Sequence, residues 1–247
     1  MRYLILSDMH ANWDAFEVVL RRARRKRFDA VLVLGDLVGY GAAPNQVVEA
    51  VRRLGPRLHT VRGNHDKVVA GIDNGSNFNH TALAAAQWTT QRLTPGNLRY
   101  VRELPRGPVQ IERDLAICHG SPLNEDTYVF SDVDAWEIFA GFPNTVTFFG
   151  HTHIPSLFSL EGRVLGVRAL RGTSGRIVLH PGGRYLLNPG SIGQPRDRDP
   201  RASYMTYDSD RRVVRWYRIP YPVEEAQRRI RRAGLPHTLA DRLGFGA

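Results

Sequence analysis

Apolar residues in the first hundred positions recur at two different spacings. Arg2–Ser7 holds the unbroken run Tyr3–Leu6, and Ala30–Leu34 is a second short run that ends at a glycine. Both read as buried strands. Between them Trp13, Phe16, Leu20 and Ala23 share one face of a 3.6-residue repeat, which predicts a helix over Asn12–Arg27. Pro44 suits a first helical turn, and Val47, Val48, Val51 and Leu54 form the inner face that follows. Leu58–Arg62 is a third strand candidate. This β-α-β-α-β order predicts a parallel sheet flanked by helices. Two more helices are predicted at Asn79–Leu93 and Asn97–Leu104. Strands dominate thereafter, at Leu115–His119, Thr145–Phe149 and in short runs from Leu157 to Ile219. One helical segment, Phe130–Ala140, and one charged loop, Gln194–Arg201, interrupt them. Val223–Ala233 reads as the last amphipathic helix, ended at Gly234. An α/β opening and a strand-rich second half predict two packed sheets with helices outside. No repeat and no linker divides the chain, so one domain over 1–247 is expected.

Five polar clusters stand where predicted strands end. They are Ser7-Asp8-Met9-His10, Gly35-Asp36, Gly63-Asn64-His65-Asp66, His119-Gly120 and Gly150-His151-Thr152-His153. Strand C-terminal ends are where open α/β sheets place ligand sites. Residues i and i+2 of an extended chain face one side, so Asp8 with His10, and His151 with His153, can converge. Asp8, His10, Asp36, Asn64, His119, His151 and His153 offer carboxylate, imidazole and amide but no thiolate. That donor set suits Mn²⁺, Fe, Zn²⁺, Ni²⁺ or Co²⁺ rather than a structural zinc finger. Seven ligands are too many for one ion. With Asp36 shared, two ions receive four protein ligands each. Two divalent cations against two carboxylates leave the site positive, as a phosphate requires.

Composition narrows the alternatives. The formal charge is +10, from 34 Lys+Arg against 24 Asp+Glu. Nucleic-acid binding is one reading of that excess. The preferred reading is a solvated basic surface that attracts anionic substrates. Arg21–Arg27 would complement a helix C-terminus, and Arg228 and Arg229 lie at ion-pair spacing from Glu224 and Glu225. No run approaches the roughly 18 apolar residues of a membrane span. The opening Met1–Asp8 does not read as a secretion signal, and Cys118 is the only cysteine. A cytoplasmic protein is therefore expected. Adjacent strand residues alternate, so Cys118 should face the core if His119 faces the site. His80 reads as a helix-surface residue and Asn12 as a helix cap.

The ordered series Asp-x-His, Gly-Asp, Gly-Asn-His-Asp, His-Gly and Gly-His-Thr-His resembles the calcineurin-like metallophosphoesterases, over roughly Met1 to Tyr207. A C-terminal strand and helix lie in 211–247. Gly35–Gly41 and Asn188–Arg196 are similar to the compact bacterial and archaeal phosphodiesterase branch, some members of which hydrolyse dinucleoside polyphosphates. The resemblance implies a four-layer αββα sandwich with a dinuclear site at one edge. It implies one metal, manganese first, on Asp8, His10, Asp36 and His153. A second would sit on Asp36, Asn64, His119 and His151. It also implies His65 as a catalytic histidine that is not a ligand, held by Asp66. The activity implied is hydrolysis of a phosphate ester by metal-bound hydroxide. Rivals are a phosphomonoesterase or nuclease with the same site, and a non-catalytic scaffold on the same fold.

Two segments beside these motifs are placed to select substrate. Tyr40, just after Asp36, offers a ring on which a base could stack. Arg196, just after the glycine-rich turn, offers a planar fork for a second phosphate. The opposing expectation is that Tyr40 packs under its loop and Arg196 pairs with Asp197 or Asp199. The partner expected is a small anionic phosphate ester.

Overall fold

The computed structural model describes residues 1–247 as twelve strands and eight helices. The first sheet holds β1 (Arg2–Leu6), β2 (Ala30–Val33), β3 (Leu58–Thr60), β9 (Ser174–Val178), β11 (Ala202–Asp208) and β12 (Val213–Ile219). The second holds β4 (Val109–Glu112), β5 (Leu115–Ile117), β6 (Val146–Phe148), β7 (Ser156–Glu161), β8 (Val164–Ala169) and β10 (Arg184–Asn188). Their spatial orders are β3-β2-β1-β11-β12-β9 and β4-β5-β6-β10-β7-β8. The expected four layers are present, but the helices divide unequally. Helix α6 (Asp132–Gly141) packs on the outside of the second sheet, against β7 and β8. The first sheet's outer core takes residues from α1 (Trp13–Ala23), α2 (Pro44–Arg52), α3 (Asn64–Val69), α4 (His80–Arg92) and α5 (Pro95–Arg102). It also takes residues from α7 (Val223–Arg232) and α8 (His237–Phe245).

The layer between the sheets decides the geometry of the site. Ile5, Leu32, Phe148 and Leu187 are sealed there, each stabilising the fold by roughly 1.5–3 kcal/mol through burial. β1, β2 and β3 run parallel, and so do β5 and β6. Asp8 and Asp36 therefore leave the first sheet, and His119 and His151 the second, at one common edge.

Three local readings differ from the observed elements. The strand expected at Leu58–Arg62 is shorter: β3 stops at Thr60, and the Asn64 of the motif that follows opens α3. Asp66, in the first turn of α3, accepts a hydrogen bond from Gly63 N at 2.9 Å, which closes that turn. Phe130 lies outside α6, because Ser131 caps that helix by accepting from Asp134 N at 3.2 Å. A helix follows Val223–Ala233 after all: α8 buries Leu239, Ala240 and Leu243 and ends on left-handed Gly246. No helix is long and apolar enough to cross a membrane.

Candidate metal centre and active site

Asp8, His10, Asp36 and His153 form one buried set, and Asp36, His119 and His151 another. Within each set the ligand atoms lie within 4.8 Å of one another. Asp36 belongs to both: its Oδ2 is 3.4 Å from His10 Nε2 and 3.4 Å from His119 Nε2. Asp8 Oδ1 lies 3.2 Å from His153 Nε2. Asn64 joins the second set, its Oδ1 3.1 Å from His119 Nε2. All seven residues singled out as ligands converge.

The far side of each imidazole shows what the near side is free to do. His10, His119 and His153 turn Nδ1 to the carbonyls of Val38, Leu34 and Gln194, at 3.2, 2.7 and 2.6 Å. An Nδ1–H donated to a carbonyl leaves an Nε2 lone pair pointing into the cluster, the arrangement that metal-ligating histidines use. His151 is inverted: its Nε2 donates to Asp126 O at 3.1 Å, which frees Nδ1. His10 and His153 bring their Nε2 atoms 3.0 Å apart. Two lone pairs that close repel unless a cation or proton lies between them. The residues present therefore fit a divalent metal.

The backbone is bent to achieve this. Asp8, His10, Asp36, His151 and His153 all have positive φ, between 45° and 67°. A left-handed conformation costs a non-glycine residue roughly 1–2 kcal/mol, and such strain clusters at functional sites. Two glycines make room for Asp36 and His65. A Cβ on Gly63 would stand 2.1 Å from Asp36 Oδ1, and one on Gly39 (φ 89°) 2.5 Å from His65 Nδ1.

Charge inside the cluster is unbalanced. Burial pushes the pKa of His10 well below the usual imidazole value and that of His151 down to about 3. Burial opposes charge on His119 too, but Asp36 and Asp8 outweigh it and hold His119 up at about 10. Burial works against the charge on Asp36, yet His119, His65 and His10 keep its carboxyl well below the usual range. Without a metal, a proton on His119 Nε2 faces two buried carboxylates and leaves the cluster short of positive charge; a cation bound there would displace that proton and free the lone pair.

His65 differs from the ligands. Its ring sits 4.3 Å from Tyr40, 4.5 Å from Phe78 and 4.9 Å from His10, and its Nδ1 has no partner. Burial first, then Arg196 and the neighbouring histidines, push His65 down to about 4 against the pull of Asp36. The expectation that Asp66 holds this ring is not met. Asp66 accepts from Leu37 N, Val38 N and Gly63 N at 3.0, 3.3 and 2.9 Å. It orders the loop whose Val38 carbonyl orients His10, because helix α3 turns its side chain toward that backbone.

Arg196 and Tyr40 line the same cavity of about 190 Å³ as Asp36, Asn64, His65, His151 and His153. Arg196 donates to the Tyr40 hydroxyl at 3.3 Å and to Gln194 Oε1 at 3.2 Å, and its Nε is buried without a partner. It does not pair with the neighbouring aspartates: Asp197 bonds Arg218, and Asp199 bonds Arg201. Tyr40 is only 8% exposed, and its ring lies 4.7 Å from His10 and 4.3 Å from His65. It supports Arg196 rather than presenting a free face to a base.

The free aromatic face belongs to residues that sequence reasoning missed. Tyr128 stacks on His151 at 3.8 Å and 17°, and Phe130 stacks on Tyr128 at 5.2 Å and 11°. These rings are 41% and 56% exposed. Their signal is the pair of aromatics two apart in the polar stretch after His119-Gly120. The same stretch is anchored by Arg62, which donates to both Glu125 oxygens at 3.1 and 2.9 Å, and by Lys67, 2.5 Å from Asp126. Other residues lie where expected. Asn12 caps α1, accepting from Ala15 N at 3.1 Å, and also donates to Gly193 O at 2.9 Å. Cys118 is buried in the core under α6, with its thiol pKa pushed up by burial. His80 is exposed at the start of α4.

The domain model of the calcineurin-like phosphoesterase superfamily matches residues 1–212. The chain belongs to that superfamily. It is a metal-dependent hydrolase of phosphate esters. A metallophosphoesterase of Sphaerobacter thermophilus superposes with a TM-score of 0.86 and 38% identity, over 100% of this chain and 99% of that one. An uncharacterized protein of Methanocaldococcus jannaschii, MJ0912, is 32% identical over 247 residues, 98% of this chain and 97% of its own. The symmetrical bis(5'-nucleosyl)-tetraphosphatase of Sodalis glossinidius is 29% identical over 125 residues, 48% of this chain and 43% of that enzyme.

Proposed function

We propose that this phosphoesterase uses a dinuclear metal centre to hydrolyse a phosphate linkage in a nucleotide, with a dinucleoside polyphosphate as the substrate class. One observation carries the reading: a single cavity is lined by members of both ligand sets (Asp36, Asn64, His151 and His153), by Arg196 with its unsatisfied Nε, and by the half-exposed Tyr128. Asp8, His10, Asp36 and His153 hold one ion, and Asp36, Asn64, His119 and His151 the other. When bound, two divalent ions supply Lewis acidity toward phosphoryl oxygens and lower the pKa of a water. Manganese is the first choice among the metals this donor set accepts.

The chain's own groups do the rest. His65 is a neutral imidazole with its pKa held at about 4. It faces the scissile phosphate, donates a hydrogen bond to its oxygens and can relay to the leaving oxygen the proton that the attacking water gives up. Asp66 keeps the loop behind His10 in place. Arg196 takes a further phosphate with the guanidinium edge that has no protein partner, and Tyr40 fixes its direction. A cavity of about 190 Å³ admits phosphates but not a whole nucleotide, since sites for drug-sized ligands run to roughly 300–1,000 Å³. The base must therefore lie at the mouth, where Tyr128 and Phe130 offer it a stacking platform. Similarity to symmetrical tetraphosphatases over half the chain supports this class.

Elemental analysis of protein purified without chelator should find about two ions per chain. A stoichiometry that stays at one ion with added Mn²⁺ would overturn the dinuclear assignment. The substrate assignment is tested by kcat/KM for a dinucleoside polyphosphate and a small aryl diester, in wild type and Arg196→Ala. The substitution should depress the polyphosphate at least about tenfold more than the diester, as loss of a charge-assisted contact implies. Equal losses would remove Arg196 from substrate selection. Preference for monoesters would make the chain a phosphomonoesterase.

A further inference from the structure

Along the outer strands of the first sheet, from the level of Arg2 to that of Leu6, lies a second hollow, of about 640 Å³. Arg2, which lines it, and Asp8 stand at opposite ends of β1, roughly 20 Å apart along extended chain. The walls are the turn after α1, with Arg25, Lys26 and Arg27, and the outward residues of β12 and β9. Seven of the 13 lining residues are Lys or Arg, and one, Asp208, is acidic. The hollow thus carries six of the chain's ten net positive charges.

These charges are largely uncompensated. Arg211 approaches Asp208 at 3.9 Å, whereas the side chains of Arg2, Arg25, Lys26, Arg27, Arg176 and Arg215 form no ion pair. Lys26 donates instead to the Tyr217 hydroxyl at 2.9 Å and lies 4.4 Å from that ring's centre. Arg176 and Arg215, both exposed, stand directly opposite each other in the register of β9 and β12. Like charges directly opposite across a ladder destabilise a sheet. The helix dipole accounts for Arg21 and Arg22, in the last turn of α1, but not for Arg25, Lys26 and Arg27 beyond its C-cap Arg24.

We propose that this hollow binds the phosphate backbone of a single-stranded nucleic acid, by charge and without reading bases. The cations are spread over β1, the turn after α1, β9 and β12 rather than focused on a point. One small phosphate would satisfy two or three of them, whereas a flexible strand meets them in turn. A duplex is too stiff to follow a concave lining of this size.

The test is fluorescence anisotropy of a labelled oligouridylate of about 20 nucleotides with the full chain, in chelator so that hydrolysis cannot consume the probe. Each phosphate neutralised adds about 0.7 to the slope of log K against log salt for single strands. Arg176→Gln/Arg215→Gln should flatten that slope by about 1.4 and weaken binding at least about fivefold at low salt. The control Arg228→Gln/Arg232→Gln, an equal charge change on α7, should weaken binding less than about twofold. Lys26→Gln/Arg27→Gln, outside the sheet, repeats the test if the strand variant folds poorly. Metal-loaded Arg176→Gln/Arg215→Gln should keep wild-type kcat/KM on an aryl diester, which separates this site from the catalytic one. Equal losses in groove and control variants would reduce the effect to net charge and overturn the proposal. So would no binding by wild type, or binding to phosphatidylglycerol vesicles in place of RNA.

Discussion

Two regions of the first sheet both concentrate charge, yet they treat it in opposite ways. At the C-terminal end of β1 and β2, Asp8, Asp36 and the histidines are buried, the backbone is forced left-handed, and each ligand imidazole is oriented by a carbonyl. On the outer strands β12 and β9, level with Leu4 in the middle of β1, Arg176 and Arg215 stand exposed on regular strand, with no carboxylate partner and a like charge opposite. Burial explains the difference. A charge removed from water needs a fixed counterpart, and building one costs backbone strain. A charge left in water needs nothing, so the fold tolerates repulsion that solvent screens. The buried cluster is preorganised to hold metal cations, and the outer strands keep a diffuse field.

Perturbing the buried cluster should have large and specific effects. His65→Ala should lower kcat by roughly 10²–10⁴-fold, the range for a positioned acid–base group, with metal content unchanged by elemental analysis. Unaltered turnover would show that His65 only packs against Tyr40 and Phe78. Chelation comes next. An ion present at about 100 times its Kd stabilises by about 2.7 kcal/mol. Stripping it should lower the Tm by about 5–10 °C for a domain of this size; calorimetry with and without EDTA reads this directly. Asp66→Ala should then weaken Mn²⁺ binding by about 10–100-fold in titration calorimetry, the usual effect of removing support behind a ligand. Wild-type affinity would mean the Leu37–Val38 backbone needs no such anchor.

Smaller effects belong to the exposed groups. Tyr128→Ala should reduce kcat/KM for a dinucleoside polyphosphate by about tenfold, since stacking on an aromatic contributes about 1–3 kcal/mol per base. An aryl diester too short to reach the cavity mouth should be unaffected; a parallel loss would mean that Tyr128 acts through His151. On the outer strands, Arg176→Glu turns a repulsive cross-strand pair into an attractive one, worth roughly 0.2–1 kcal/mol. The Tm should rise by about 1–3 °C. A fall would show that Arg176 and Arg215 are not in effective contact.

The candidate metal-binding residues were legible in the sequence because their signals are local. A strand ending in glycine, an i,i+2 pair of donors and a cap residue such as Asn12 depend on neighbouring dihedral angles, which a short window of sequence reports. Other features are set by contacts between distant segments. No spacing foretells that His151 turns Nε2 to Asp126 O while the other three ligand imidazoles turn Nδ1 to a carbonyl. Nor does it foretell that Asp66 serves the backbone of residues 37 and 38 rather than the ring beside it. Helix α8 lacked a strong repeat of its own and forms against α7, where Gln227 Nε2 donates to Ala240 O at 3.0 Å. The arginines were visible as a composition, but their meeting across β9 and β12 follows from strand register. Sequence alone determined which groups are available for chemistry. Tertiary packing decided which atoms of those groups face one another, because only the folded chain brings remote strands and loops within bonding distance.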